Sequence, residues 1–174
     1  MNWSDYFFSF QGRINRAKLW LFLLIVICIE VVYFALLSTI FGMSILTAMV
    51  AGAGHPGAAL AGGASILIVV LLSCALYIAI IVAGIAVTVK RLHDRDKGAM
   101  WLLVFYVLPL VLNVCAYMLA PNWSGPESGS SGIVPMLLHL AALGVTIWAF
   151  VELYCLRGTV GDNRFGPDPL AGRA

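Results

Sequence analysis

The amino-acid sequence predicts an all-α, polytopic membrane protein, a four-transmembrane-helix bundle with an N-terminal interfacial amphipathic helix. Of its 174 residues, 62% are hydrophobic and only 10% are charged, whereas soluble domains carry about 25% charged residues. The apolar residues form four long runs, and every Lys and Arg lies outside them. A water-soluble fold of this length cannot bury so much apolar surface, so lipid must surround most of the chain.

Each apolar run is long enough to cross a bilayer. The predicted spans are 19–41, 66–89, 100–120 and 133–156. At about 1.5 Å per residue, each helix reaches roughly 31 Å or more, against a hydrocarbon core of about 30 Å. Helices are required because backbone polar groups in lipid must bond within their own segment. We expect one membrane domain, residues 1–174, that ends in a cytoplasmic tail at 157–174.

The basic residues predict the orientation. They precede the first span, fill the loop between the second and third spans, and follow the fourth. Lys and Arg near helix ends resist translocation, so this side and both termini are expected in the cytoplasm. Here the ten cations outnumber the aspartates by five. Such a face is attracted to anionic phospholipid, by about 1 kcal/mol per basic residue near the surface.

Aromatic residues before the first span recur at i, i+3, i+4 and i+7. They are Trp3, Tyr6, Phe7 and Phe10. This spacing predicts an amphipathic helix over residues 2–12, with Gly12 as its C-terminal stop. The helix is expected either to lie in the headgroup plane or to dock on the bundle.

The segments between the spans predict two outer loops. Gly42 to Ser65 is rich in Gly and Ala and is expected to be a loop flanked by helix extensions, whereas Pro121 to Gly132 is polar and flexible. The four cysteines fall one per span without a C-x-x-C pair. We expect them to be small packing residues, and we expect no metal site and no cofactor.

Four polar side chains fall at similar depths, roughly 15–20 Å from the cytoplasmic ends of the spans. They are Glu30, Tyr77, Asn113 and Thr146. A carboxylate at this depth is costly, so Glu30 is expected to face inward and to bond Asn113 or Tyr77. The layer either fixes helix register or forms a proton or substrate relay. Glu152 and His139 are expected to be solvated near the membrane interfaces, and Pro109 to kink the third span.

Three cytoplasmic segments carry a resemblance to a known family. They are FQGRINR at 10–16, KRLHD at 90–94 and GTVGDNRFGPDP at 158–169. In order and spacing the chain resembles the bacterial inner-membrane family catalogued as domain of unknown function 805, the YhaH/YhaI-like proteins. The resemblance implies a small multi-pass protein of the bacterial inner (plasma) membrane, without an assigned activity, substrate or catalytic residue. After Asp94 the chain departs from the family pattern, with Asp96, Gly98, Ala99 and Met100 where Gly, Ser, Gly and Trp are expected.

The same segments supply a candidate site on the cytoplasmic face. Its residues are Arg13, Arg16, Arg91, His93, Asp94, Asn163 and Arg164. Arginines present forked donors that match phosphate or carboxylate groups. His93 beside Asp94 is either a proton-active pair near neutral pH, or part of a helix cap and of an ion-pair network with Arg91 or Arg164.

These features favour a non-enzymatic membrane component, namely an adaptor, regulator or assembly subunit that binds anionic phospholipid or a protein partner. The alternative is a small oligomeric transporter or channel subunit that uses Glu30 and the polar layer. An enzyme is not expected, because metal-ligand spacing, a G-x-S-x-G elbow and paired active-site carboxylates are missing from the sequence. Nucleic-acid binding is not expected either, because the basic residues are few and lie at the lipid surface. A second copy of the same chain, in a homo-oligomer, is an alternative to a different protein partner.

Overall fold

The computed structural model describes residues 2–51, 56–119 and 132–172, with only the helical backbone at 44–51 and 56–65. Within these ranges the chain is helical and has no strand. In chain order the helices are α1 (Trp3–Phe8), α2 (Arg16–Ala51), α3 (Pro56–Asp94), α4 (Leu108–Leu119) and α5 (Ile133–Phe150). A π-helical segment, Leu103–Val107, leads into α4, and another, Val151–Cys155, extends α5.

Three helical segments are long and apolar enough to cross a membrane. They are Arg16–Met43, Ile66–Asp94 and Ile133–Cys155. They correspond to the first, second and fourth predicted spans. No residue is buried in the most apolar part of the first segment, as expected of a helix that faces lipid. The third predicted span corresponds to the shorter apolar helix Leu103–Leu119, and Ala120 lies outside the described residues.

The chain divides into two compact units. One comprises Met1–Trp20 and Ala86–Ala174, and the other is Leu21–Ile85. The first contains all three family segments and is called the motif unit below. The second consists of the facing parts of α2 and α3 and is called the hairpin unit.

In the hairpin unit, α2 and α3 run antiparallel. Tyr33 shares a hydrogen bond with Ser73, and the Tyr77 hydroxyl donates to Glu30 Oε2 at 3.2 Å. Later residues of α2 therefore pair with earlier residues of α3. The Glu30–Tyr77 bond is one of the two bonds that the sequence predicted for this carboxyl group.

The helix extensions expected on both sides of the predicted outer loop cover most of Gly42–Ser65. The helix α2 continues to Ala51, and α3 already begins at Pro56. A helix satisfies its backbone polar groups internally in lipid, and this outweighs the weak helix propensity of glycine. Proline is tolerated at the first position of a helix, where its missing N–H would have no intrahelical partner. Residues 52–55, and the predicted polar loop at 120–131, lie outside the described residues.

The N-terminal helix is shorter than the predicted 2–12. It covers Trp3–Phe8 and ends at Ser9, whose N–H donates to the Asp5 carbonyl oxygen. Gly12, with φ +87°, therefore lies in the following turn and not at the helix end. Tyr6 is buried, and its hydroxyl donates to the Lys18 carbonyl oxygen at 2.5 Å. These contacts dock the helix on the motif unit.

Small residues bring α4 and α5 together in the motif unit. Ala116, Ala142 and Ala149 are buried there, and small side chains allow membrane helices to approach closely. The π-helical turn Leu103–Val107 lies directly before Pro109. Because proline cannot donate to the preceding turn, the backbone widens at this point. All four cysteines are free thiols at exposed positions, so they are not part of the buried core.

The end of α3 is a Schellman motif. The N–H of Lys97 donates to the Leu92 carbonyl at 2.9 Å, and the N–H of Asp96 donates to the His93 carbonyl at 3.0 Å. Asp96, between these turns, has φ +55°. This is the left-handed conformation that glycine usually supplies at this position, and glycine is the residue that the family pattern leads us to expect here.

Replacing Asp96 with glycine is expected to stabilise the protein by about 1 kcal/mol, because the left-handed strain of an L-residue is removed. The loss of the exposed Asp96–Arg164 pair costs less, at most about 1 kcal/mol. Thermal unfolding in a mild detergent measures the change. Asp96→Ala is the control, since it removes the same ion pair but keeps the strain; an equal gain from alanine would contradict this explanation.

Candidate functional site

The carboxylate of Asp94, the last residue of α3, joins two of the family segments. Its Oδ1 accepts from Arg13 Nε at 3.3 Å and from Arg13 Nη2 at 3.1 Å. Its Oδ2 accepts from Arg91 Nη1, one turn earlier on α3. A single carboxylate therefore holds the segment before α2 against the end of α3.

The C-terminal tail closes around the same arginine. The Arg13 guanidinium donates to the carbonyl oxygens of Thr159 and Gly161, each at 2.7 Å, and to that of Gly166 at 3.2 Å. In return, the N–H of Thr159 donates to the Asp94 carbonyl oxygen at 2.8 Å. All three family segments thus meet at one point, which we call the Asp94 network.

Arg91 connects this network to the last transmembrane segment. Its Nε donates to the Leu153 carbonyl oxygen at 2.8 Å, and its Nη2 donates to that of Leu156. Carbonyl oxygens at a helix end have no intrahelical partner and carry partial negative charge, so a guanidinium is well placed among them. This contact orders the chain where it leaves the membrane.

The network is buried and internally satisfied. The side chains of Arg13, Arg91 and Asp94 expose at most 3% of their surface. Among the described residues, every buried side-chain N or O atom has a hydrogen-bond partner. Two cations face one carboxylate, and the carbonyl oxygens compensate the excess positive charge. Removing one partner from such a pair leaves an uncompensated buried charge, which costs about 3–5 kcal/mol.

His93 does not form the proton-active pair that was one of its two predicted roles. Its imidazole stacks on Phe165 at 3.9 Å between ring centroids, and its Nδ1 lies 3.2 Å from the Gly12 carbonyl oxygen. Asn163 Nδ2 donates to the His93 carbonyl oxygen at 2.8 Å. The second predicted role, a helix cap within an ion-pair network, matches Asp94 and Arg91. Arg164 stands apart from that network and pairs with Asp96 at 3.1 Å.

A second charged cluster was missed by sequence reasoning. Glu152 is buried and pairs with Arg95 at 2.9 Å and with Lys97 at 2.7 Å. The Lys97 ammonium also lies 4.5 Å from the Trp101 ring centroid, a cation–π distance. The expectation of a solvated Glu152 is therefore wrong. The available signal was its position near the end of the last predicted span, on the side predicted for the basic loop.

The four residues of the predicted polar layer divide between the two units. Glu30 and Tyr77 bond each other in the hairpin unit. In the motif unit, Asn113 Oδ1 lies 2.8 Å from Nδ1 of His139, and Thr146 donates to the carbonyl oxygen four residues earlier. Within the described residues, no group of three or more His, Cys, Asp or Glu side chains could hold a metal ion.

A known protein family matches most of the chain, and the match includes the residues that meet at Asp94. Residues 7–167 match the family described as "Protein of unknown function (DUF805)". The chain belongs to this family. The resemblance found in the sequence is thereby confirmed, and the three segments that carried it are the ones that build the Asp94 network.

Two DUF805 relatives come from Escherichia coli K12. The uncharacterized protein YiiR is 29% identical over 171 residues, which cover 97% of this chain and 90% of YiiR. The inner membrane protein YhaH is 26% identical over 162 residues, which cover 92% of this chain and 87% of YhaH. No solved structure matches the chain. The inner-membrane relative and the three membrane-capable helices support an inner-membrane location.

Beside the Asp94 network lies an open cleft of about 200 Å³. Its lining is Asn15, Arg16, Asp94, Arg157, Gly158, Thr159, Asp168 and Leu170. Arg16 and Arg157 are exposed, unlike Arg13 and Arg91. The backbone N–H groups of Leu170 and Gly161 donate to Asp168 at 2.9 and 3.0 Å and hold the pKa of this carboxyl below its usual value. Asp168 therefore stays ionised at neutral pH.

Gly158 is where the tail passes closest to the network. A Cβ at this position would lie 2.0 Å from Asp94 Oδ2. Gly158→Ala is expected to push the carboxylate out of its pairs with both arginines and to destabilise the protein by at least about 3 kcal/mol. Thermal unfolding and the yield of monodisperse protein in detergent measure this loss.

Gly98→Ala is the matched control, because nothing lies within 4 Å of a Cβ built there and its φ is not positive. The Gly98 variant should unfold within about 1 kcal/mol of the parent. Equal destabilisation of the two variants would show that contact with Asp94 is not the cause.

Proposed function

We propose that this DUF805 protein is a non-enzymatic component of the inner membrane, an adaptor, regulator or assembly subunit whose cytoplasmic face binds anionic phospholipid or a protein partner. The observation that carries the proposal is the division of the arginines. Arg13 and Arg91 are buried and hold the fold together, whereas Arg16 and Arg157 are exposed on the same unit. The buried arginines hold the three family segments together, and the exposed arginines are available to bind anions.

The chemistry of the Asp94 network supports a binding role and not a catalytic one. A general base must reach the proton that it removes. The Asp94 carboxylate is enclosed by two guanidinium groups, and the His93 imidazole is engaged by Phe165 and by the Gly12 carbonyl. The Asp94 carboxylate and the His93 imidazole are therefore both engaged in contacts that hold the family segments together.

We further propose four membrane crossings with both termini in the cytoplasm. Residues 10–16, 90–94 and 158–169 meet in one network, so they lie on one side of the membrane. Between Asp94 and Arg157 the chain must then cross an even number of times. The helix α5 supplies one crossing, which leaves the other to Leu103–Leu119. At about 1.5 Å per residue this segment reaches roughly 25 Å, and about 17 residues is the lower limit for a spanning helix.

Cysteine labelling tests this topology. In a variant without the four native cysteines, single cysteines at Gly98 and at Val160, which is 76% exposed, should react only after the inner side is opened to a membrane-impermeant maleimide. A cysteine at Ser128, in the predicted outer loop, should react in intact cells. Labelling of Gly98 and Val160 from opposite sides would contradict four crossings.

Anionic lipid binding is the second test. The purified protein is incorporated into nanodiscs of neutral lipid and titrated with phosphatidylglycerol, and the midpoint of thermal unfolding is followed. We expect stabilisation that weakens with salt, because it is electrostatic. The double variant Arg16→Gln, Arg157→Gln should lose most of it.

If neither phosphatidylglycerol stabilisation nor a stoichiometric protein cross-link to this face is found, the proposed function fails. A second candidate, a transporter or channel subunit, is favoured by the Glu30–Tyr77 bond inside the apolar hairpin unit. An ionisable group inside a membrane segment often marks an ion pathway. A proton or ion flux in liposomes that Glu30→Gln abolishes would decide for that alternative.

A further inference from the structure

The cleft beside the Asp94 network lies at the level where the apolar helices begin and end. Arg16 is the first residue of α2 and of the first membrane-capable segment. Arg157 follows the last such segment, which ends at Cys155, by two residues. Both guanidinium groups therefore sit at the polar boundary of the membrane, where lipid headgroups lie.

Both arginines have guanidinium N–H groups that can donate to an anion in the cleft. Arg16 Nη1 donates to the Cys155 carbonyl oxygen at 3.1 Å, which holds this side chain beside the end of the last span. The Arg157 backbone is held in turn, because its carbonyl oxygen accepts from Arg95. Among the described residues, no hydrogen-bond partner reaches the Arg157 guanidinium. Forked guanidinium donors match the oxygens of a phosphate group.

The two carboxylates that line the cleft are already engaged. Both oxygens of Asp94 accept from arginines of the network. Both oxygens of Asp168 accept backbone N–H groups of the tail. Among the lining side chains, Arg16 and Arg157 balance Asp94 and Asp168, and Asp94 is in addition paired with Arg13 and Arg91 behind the cleft. The cleft is therefore suited to an anion despite its acidic lining residues.

An aromatic surface adjoins the cleft on the membrane side. Trp20 lies one turn after Arg16 on the same face of α2. Its ring contacts Tyr154 at 5.2 Å and Phe150 at 6.4 Å between centroids, and Trp20 remains 45% exposed. Tryptophan and tyrosine favour the headgroup level of a bilayer. A lipid with its phosphate at the arginines can place its glycerol and acyl chains along this surface.

We infer that the cleft between Arg16 and Arg157 binds the phosphate of one anionic phospholipid, with Trp20 beneath its glycerol backbone. This inference rests on the lipid-binding arm of the proposed function and narrows it to a single site. The volume of about 200 Å³ is below the roughly 300–1,000 Å³ of pockets for drug-sized ligands. It therefore suits a small headgroup, such as that of phosphatidylglycerol or phosphatidic acid.

Native mass spectrometry of the full-length protein tests the site by counting bound lipids. The protein is titrated in detergent with phosphatidylglycerol, with phosphatidylcholine, and with soluble glycerol phosphate. We expect one phosphatidylglycerol per chain to bind at least about tenfold more tightly than phosphatidylcholine. Arg16→Gln with Arg157→Gln should weaken that lipid about tenfold or more, since each charge-assisted hydrogen bond contributes enough for such a change.

Lys18→Gln with Arg164→Gln is the matched control. It removes the same charge from residues that do not line the cleft, and it should leave the single tight lipid in place. Arg157→Gln alone provides a second variant in case the double variant fails to fold, because no hydrogen bond or ion pair among the described residues depends on that guanidinium. Arg157→Lys keeps the charge but loses the fork and should give an intermediate affinity.

The outcomes separate the site from the general function. Equal losses in the cleft pair and in the control pair, or a gradual series of weakly bound lipids, would overturn the site and leave a diffuse anionic face. Glycerol phosphate binding as tightly as the lipid would overturn the role of the membrane side. If the parent protein itself shows no preference for anionic lipid, the lipid arm of the proposed function fails together with the site.

Discussion

A buried carboxylate between two guanidinium groups is the constraint on which the motif unit depends. Asp94 ends α3, and its partners Arg13 and Arg91 bring the N-terminal segment, the end of the second long helix and the carbonyl oxygens of the tail together. In water such pairs contribute little. Here the side chains are almost fully enclosed, so every missing partner would leave a charge without compensation. The geometry of the face where the three family segments meet follows from this requirement.

This constraint separates the basic residues into two populations with different physical roles. Arg13, Arg91 and Lys90 are buried and donate mainly to carbonyl oxygens and to Asp94. Arg16 and Arg157 are exposed at the edge of the membrane-capable helices. Both groups of basic residues favour the same membrane orientation. Only the exposed arginines can bind an anion from outside the protein. A count of positive charge alone does not distinguish them.

Close packing also explains features of the chain that charge does not. Gly158 has no side chain because the Asp94 carboxylate occupies the place where a Cβ would be. Asp96 occupies a left-handed position at the end of α3 that normally falls to glycine, and its exposed carboxylate pairs with Arg164. Glu152 lies under Arg95 and Lys97 and ties the loop after α3 to the end of α5. Each of these contacts joins residues that are far apart in sequence, and each lies within the motif unit.

The sequence by itself determined that the chain is a helical membrane protein, where its three membrane-capable helices lie, and which family it belongs to. It could do so because hydropathy and charge act locally and each family segment is contiguous. It also identified Arg13, Arg91 and Asp94 as site residues. Only the tertiary structure decided that these residues are buried partners of one another, that His93 is not paired with Asp94, and that Arg16 and Arg157 share a cleft. The reason is physical: apart from the Arg91–Asp94 pair within α3, these contacts join segments more than sixty residues apart in sequence, and no local pattern of residues encodes those distances.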